Sequence, residues 1–338
     1  MSLTLGGNIF VSGSNRGIGL ELVKQLAEKT PEDTCIYAGC RTPDGSNAQA
    51  LRDLAAKHAG KICIVKLEMS DEESIACAVR TVSEKVGAAG LNLLINNAAI
   101  AKPAIPGKLC DTSRQDMMEV YETNVAGPFL LTKVVVSIFF CFFFLGHVMT
   151  SAGGSESEWT THVIVFSEVI KGELNRDERS QHGTLRNSKP SGPSSSVLQP
   201  SGFSEMFLRM FIPLLQKAAA SSNQGDEMSC RRSAVINVST LGASLGMMPE
   251  SFHIAQLFAY RSSKAAMNML SCCFAMELKS QKILVMALHP GWVQTDMGGD
   301  QAPTSTHDSV QGMLNVMSSL GSKDTASFLD WNGDTLPW

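Results

Sequence analysis

The chain has 338 residues, 44% of them hydrophobic and 18% charged, with a net charge of −4. This apolar content can build a sizeable core and excludes global disorder, and the mild acidity argues against nucleic acid as the main partner. Nine cysteines (Cys35, Cys40, Cys63, Cys77, Cys110, Cys141, Cys230, Cys272 and Cys273) contain no C-x-x-C pair or zinc-like spacing. They read as reduced cytoplasmic thiols, and no metal site is expected. The opening MSLTLGGNIFVSG lacks the basic stretch and cleavage site of a secretory leader.

Strand and helix signals alternate along the first half. Asn8–Val11 reads as a strand running into a glycine-rich turn, and Leu20, Val23, Leu26 and Ala27 follow at helical spacing. Next come a strand at Cys35–Gly39, a helix at Ala48–His58 and a strand at Ile62–Leu67. A helix at Ser70–Val86 opens on a Ser70/Glu73 capping box, and Leu91–Asn96 is a further strand. The pattern resumes with a strand at Ala234–Val238, a helix at Ser262–Leu278, a strand at Ile283–Leu288, a helix at Val310–Leu320 and a short strand at Phe328–Trp331. Such alternation predicts a doubly wound α/β fold, a mostly parallel Rossmann-type sheet with helices on both faces.

Residues 134–205 interrupt the alternation. They open with VVVSIFFCFFFL and continue as a polar tract rich in Ser, Gly and Pro. The apolar run is about 12 residues, against the roughly 20 of a membrane-spanning helix, so no membrane partner is expected; an anchor through 134–149 is the minor alternative. Joining Lys133 to Met206 places Leu131, Phe207, Met210, Phe211, Leu214 and Leu215 on one amphipathic stripe. The expected organisation is one catalytic domain, 1–133 plus 206–338, with 134–205 a disordered insertion, of retained-intron type, within a helix. A genuine lid or anchor is the alternative.

In the turn Ser12–Gly19, Gly13, Gly17 and Gly19 follow G-x-x-x-G-x-G between strand and helix. Glycines so placed let backbone amides approach a pyrophosphate at a helix N-terminus, which points to a dinucleotide. Tyr260 and Lys264 lie four apart on one helix, hence on one face. A neighbouring ammonium and a cationic ring of a bound dinucleotide both favour phenolate, so the Tyr260 pKa is expected to fall from about 10 toward neutrality.

The glycine turn, Asn96-Asn97-Ala98-Ala99, Asn124, Tyr260-x-x-x-Lys264 and Pro290-Gly291 occur in that order. In this the chain resembles the short-chain dehydrogenase/reductase family. Asn124–Pro128, FAYRSSKAAMNML, PGWVQTDMGG and the closing WNGDTLPW resemble the sniffer and C-factor-like carbonyl reductase branch. The resemblance implies a Rossmann-type enzyme that reduces an aldehyde, ketone or quinone to an alcohol, or the reverse, with a homodimer left open. A C-factor-type signalling protein with weak or lost catalysis is the alternative. The resemblance also assigns catalytic roles to Tyr260, Lys264 and Asn124, and to a carbonyl-polarising hydroxyl that is either Ser239 or Thr240. Strict register favours Thr240; a one-residue shift restores Ser239.

For the cofactor, the resemblance implies contacts from Gly13, Ser14, Asn15, Arg16, Gly17, Ile18, Gly19, Arg41, Glu68, Met69, Asn96, Ala98, Pro290, Gly291, Val293 and Thr295, besides Tyr260 and Lys264. The second strand ends Gly39-Cys40-Arg41 without the acidic residue that accepts a ribose 2′-hydroxyl. With Arg16 in the turn, two guanidinium groups could pair with a 2′-phosphate, and NADP(H) is the expected cofactor. Glu68 stands where the family carries Asp, and Ala99 where it carries Gly. The interval from Thr240 to Tyr260 exceeds the family's common one, and its Met247, Met248 and Phe252–Phe258 offer either an apolar substrate wall or a surface excursion. His289 reads as a packed histidine, and Asp296–Thr306 as a lid or an ordinary loop.

Overall fold

The structure, a computed structural model, describes residues 3–133, 211–221 and 227–338. The chain divides into two compact units, Met1–Val134 with Arg209–Trp338, and Val135–Leu208. The second unit, and with it the expectation for 134–205, lies outside the described residues.

In the first unit seven strands form one parallel sheet: β1 Asn8–Ser12, β2 Cys35–Cys40, β3 Ile62–Lys66, β4 Leu93–Asn96, β5 Ala234–Val238, β6 Leu284–His289 and β7 Phe328–Asp330. The spatial order is β3-β2-β1-β4-β5-β6-β7. The chain winds outward from β1 to β3, then crosses back to place β4 on the other side of β1, with Phe10 paired to Tyr37 on one flank and Leu94 on the other. That reversal opens a crevice beyond the carboxyl ends of β1 and β4, the usual place for a ligand in such sheets.

Alternation along each strand feeds two cores. Ile9, Val11, Leu93, Ile95, Ile236 and Met286 point to one face, where they meet Leu22 and Leu26 of helix α1 (Gly17–Lys29), Leu51 of α2 (Gln49–Lys57) and Met313 of the C-terminal helix Thr306–Ser319. Phe10, Leu94, Val235 and Val285 point to the other. There they meet Ile75 and Val79 of α3 (Glu72–Val86), Leu131, Phe211 and Leu215, and Phe274 of the long helix Phe258–Leu278. With both faces covered, the strands are predominantly apolar, as parallel strands are.

Several boundaries differ from the sequence reading: β4 starts at Leu93 rather than Leu91, and the C-terminal helix at Thr306 rather than Val310. Helix α3 starts at Glu72, and its cap is Asp71, whose side chain accepts from the Glu73 amide, while Ser70 Oγ donates to Glu68 Oε1. Asp two positions before an amide closes that bond without the reciprocal contact of a capping box. The long helix begins at Phe258, ahead of the expected Ser262, so Tyr260 falls in its first turn.

Candidate active site

The strand ends open onto a cleft of ≈ 790 Å³. Its floor is the glycine turn. Gly13 has φ +69°, and a Cβ there would come within 2.9 Å of Ala98 Cα; a Cβ on Gly19 would fall 2.0 Å from the Gly13 oxygen. Only bare backbone fits, which leaves the amides at the start of α1 open to an anionic ligand. Gly13, Asn15, Arg16, Gly17, Ile18 and Gly19 line the cleft. Ser14 does not: it is fully buried, and its hydroxyl donates to Val11 O (2.7 Å), bracing the turn.

At the end beside β2, Arg41, Glu68 and Met69 line the cleft with Ala98. Arg41 Nε stands 3.4 Å from Glu68 Oε2, and Arg16 forms an ion pair with Asp296. Asn96 is buried below the cleft, donating to Asn237 Oδ1 (2.8 Å) and Thr132 Oγ1 (3.1 Å). The lining amide is its neighbour Asn97, which donates to the carbonyls of Ser12 and Gly13. Ala99 is not among the described residues with positive φ, so its Cβ is tolerated.

At the other end the cleft meets Tyr260, Lys264, Ser239, Pro290 and Thr295. Lys264 is buried, with Nζ donating to Val238 O (2.7 Å) and standing 6.0 Å from the centre of the Tyr260 ring. Burial brings the ammonium down to about 8 and pushes the Tyr260 phenol up to about 12. The phenol thus moves opposite to the direction expected from its cationic neighbour. At 6.0 Å, and itself desolvated, that cation offsets little of the phenol's own desolvation.

The hydroxyl candidates differ in what they hold. Ser239 lines the cleft but is 2% exposed, and its Oγ donates to Asn268 Oδ1 (2.6 Å). Thr240 is half-buried and does not line this cleft; its Oγ1 accepts from the Gly242 amide (3.2 Å). Asn124 sits in a π-helical turn, Glu122–Ala126. Its side chain clamps Ile100 through both N–H and C=O and donates to Ser263 Oγ (3.1 Å); it lies behind the cleft wall. Gly291 packs against Trp331, and Val293 is buried in a bridge to Thr304. His289 is a packed histidine held neutral, burial bringing it down to about 4.

Sequence reasoning missed Asn97, Asn268 and Asp296. The Asn96-Asn97 doublet and the i+4 spacing of Asn268 from Lys264 were visible signals; the pairing of Asp296 with Arg16 had none. Among the described residues no helix is long and apolar enough to cross a membrane, and no cluster could hold a metal ion.

Known proteins resemble this chain in sequence and in fold. The short chain dehydrogenase family model matches residues 7–140 and 220–306. C-signal of Myxococcus xanthus is 44% identical over 81 residues, a stretch covering 24% of this chain and 49% of that protein, so the match spans about half of C-signal. The NADPH-bound carbonyl reductase from chicken fatty liver superposes with a TM-score of 0.71 at 33% identity, covering 99% of this chain and 96% of that one. Sniffer, a carbonyl reductase of D. melanogaster, shares the fold at a TM-score of 0.69 and 24% identity, with coverage of 99% and 100%. The chain belongs to the short-chain dehydrogenase family, a family of oxidoreductases.

Proposed function

We propose that the protein is an NADP(H)-dependent reductase of a carbonyl compound, aldehyde, ketone or quinone, able also to run toward oxidation. The observation that carries this reading is the meeting of Tyr260 and Lys264 with the glycine turn in one cleft. The bare-backbone cradle at Gly13 and Gly19 fits a pyrophosphate. Arg41 and Arg16, with no acidic residue ending β2, favour a 2′-phosphate, and the NADPH-bound relative supports that choice. When bound, the cofactor supplies the hydride.

The chain's own groups do the rest. Thr240 polarises the carbonyl from beside the cleft lining: it is half-buried where Ser239 is 2% exposed, and its Oγ1 accepts from Gly242, which leaves its hydrogen to donate, whereas Ser239 Oγ donates to Asn268. Tyr260, protonated at neutral pH, gives its proton to the carbonyl oxygen as charge builds there. Lys264 lies one turn away, to hold the ribose and restrain the phenolate left behind. Asn124 fixes Ile100 and the long helix relative to each other, a positioning role.

The match to C-signal favours a second reading, a nucleotide-binding signalling protein with weak catalysis. NADPH oxidation with a panel of aldehydes, ketones and quinones separates the two. Tyr260→Phe is expected to cut kcat by about 10²–10⁴-fold with NADPH affinity retained. Unimpaired turnover in that variant overturns the mechanism, and NADPH binding without turnover by the wild type favours the second reading.

A further inference from the structure

Both guanidinium groups expected at the 2′-phosphate already have carboxylate partners inside the cleft. Arg16 pairs with Asp296 and Arg41 with Glu68, and all four residues line the cleft. The two pairs are not alike. Glu68 Oε2 meets Arg41 at Nε, 3.4 Å away on the flank of the guanidinium, and the terminal nitrogens of Arg41 have no partner among the described residues. Asp296 meets Arg16 at Nη1, at the tip of the guanidinium, where a phosphate would be gripped.

Asp296 is held in place by its own loop. Thr295 Oγ1 accepts from the Gly298 amide (3.0 Å), and the Gly299 amide donates to Thr295 O (2.8 Å). The Trp292 indole N–H donates to Gly298 O (2.8 Å), the Gln294 amide to Thr304 O (2.9 Å) and the Gln294 side chain to Ala302 O (3.0 Å). A Cβ on Gly298 would fall 2.0 Å from Val293 O, so the turn after Asp296 closes with no room to spare. This braced turn lies against the glycine turn, where a Cβ on Gly17 would stand 3.3 Å from Thr295 Cγ2. Arg16 is the reverse case. It precedes α1 with an extended backbone, and its long side chain is 64% exposed, against 75% for Asp296. A short carboxylate on a fixed turn thus faces a guanidinium on a flexible stem. Exposed pairs of this kind are weak, so a phosphate dianion can draw the guanidinium away while the carboxylate stays behind in water.

We propose that Asp296 is a specificity-determining residue: it holds Arg16 in the free protein and yields it to the 2′-phosphate when NADP(H) binds, so that this carboxylate subtracts from the preference for NADP(H) over NAD(H). The exchange rests on the reading of Arg16 as a ligand of the 2′-phosphate. NAD(H), which lacks that phosphate, leaves the Arg16–Asp296 pair intact and is indifferent to it.

The test is made on the full chain. The Kd for NADPH and for NADH is measured by fluorescence titration in wild type, Asp296→Asn, Arg16→Gln and the double variant. Asp296→Asn is expected to bind NADPH about threefold tighter at low salt, a gain that disappears in about 1 M salt, and to bind NADH with little change. In the Arg16→Gln background the same substitution should leave NADPH affinity nearly unchanged, because the group that Asp296 withholds is gone. Equal or weaker NADPH binding by Asp296→Asn overturns the exchange. So does a gain as large for NADH, or one that persists without Arg16, since either makes Asp296 a source of general repulsion. A wild type that binds neither dinucleotide, or binds NADH as tightly as NADPH, overturns the cofactor reading and the exchange with it. The wild type alone decides that reading and the variants decide the exchange, so the two fail separately.

Discussion

At the scale of single residues, chemistry is decided by what each polar hydrogen is already doing. Ser239 and Thr240 are adjacent hydroxyls, yet one spends its hydrogen on a buried amide and the other receives one from the backbone. Thr240→Val is therefore expected to lower kcat by about 10²–10³-fold, the usual cost of losing a donor to a developing oxyanion. Ser239→Ala is expected to keep most of kcat and instead cost about 1–3 kcal/mol of stability, because Asn268 Oδ1 is left unpaired. The reverse pattern would reassign the polarising role to Ser239. The same reasoning applies at the end of the cleft beside β2, where Glu68 stands 3.4 Å from Arg41. Glu68→Gln removes a negative charge beside the expected 2′-phosphate and should shift the NADPH/NADH affinity ratio a few-fold toward NADPH, within the about 0–1 kcal/mol of an exposed pair. Arg41→Asp should shift it strongly toward NADH. Ratios that stay fixed in both variants would remove Arg41 from the phosphate site.

At the scale of elements, the helix Phe258–Leu278 presents Tyr260, Lys264 and Asn268 one turn apart to the end of β5. Burying Lys264 there has a consequence for folding. Its folded pKa, about 8, lies below the ordinary 10.5, so the folded chain binds fewer protons than the unfolded chain between those values. Stability from this group therefore rises with pH across the window from about 8 to 10.5. Denaturation of wild type and Lys264→Met at about pH 8 and about pH 10 should show wild type gaining on the variant; parallel curves would mean the ammonium is not desolvated. The i, i+4 spacing behind this was legible in the sequence, as were the glycine turn and the strand–helix alternation, because all are set by local periodicity. The bonds that set the site's electrostatics were not. Ser239 to Asn268, Arg41 to Glu68 and Arg16 to Asp296 each depend on how separate elements are docked. The desolvation of the Tyr260 phenol was not legible for the same reason: sequence shows the neighbouring charge but not the burial around it.

At the scale of the whole molecule, the question is what residues 134–205 contribute. The described residues that flank the segment belong to one core cluster. Leu131 before it and Phe211, Leu214 and Leu215 after it are all buried in one cluster with Phe10, Leu94 and Val235. Phe10 and Phe211 lie 4.7 Å apart, ring to ring, across the sheet–helix boundary. These contacts lie within the first unit, and long insertions are tolerated because loop-closure entropy grows only slowly with length. A chain in which Lys133 is joined directly to Met206 should therefore fold, bind NADPH with unchanged affinity, and melt at or above the temperature of the full chain, since one helix would then run where two short ones meet. Equilibrium unfolding and NADPH fluorescence titration of the two chains decide this. A shortened chain that fails to fold, or that folds but loses the cofactor, would show the segment to be an integral part of the enzyme.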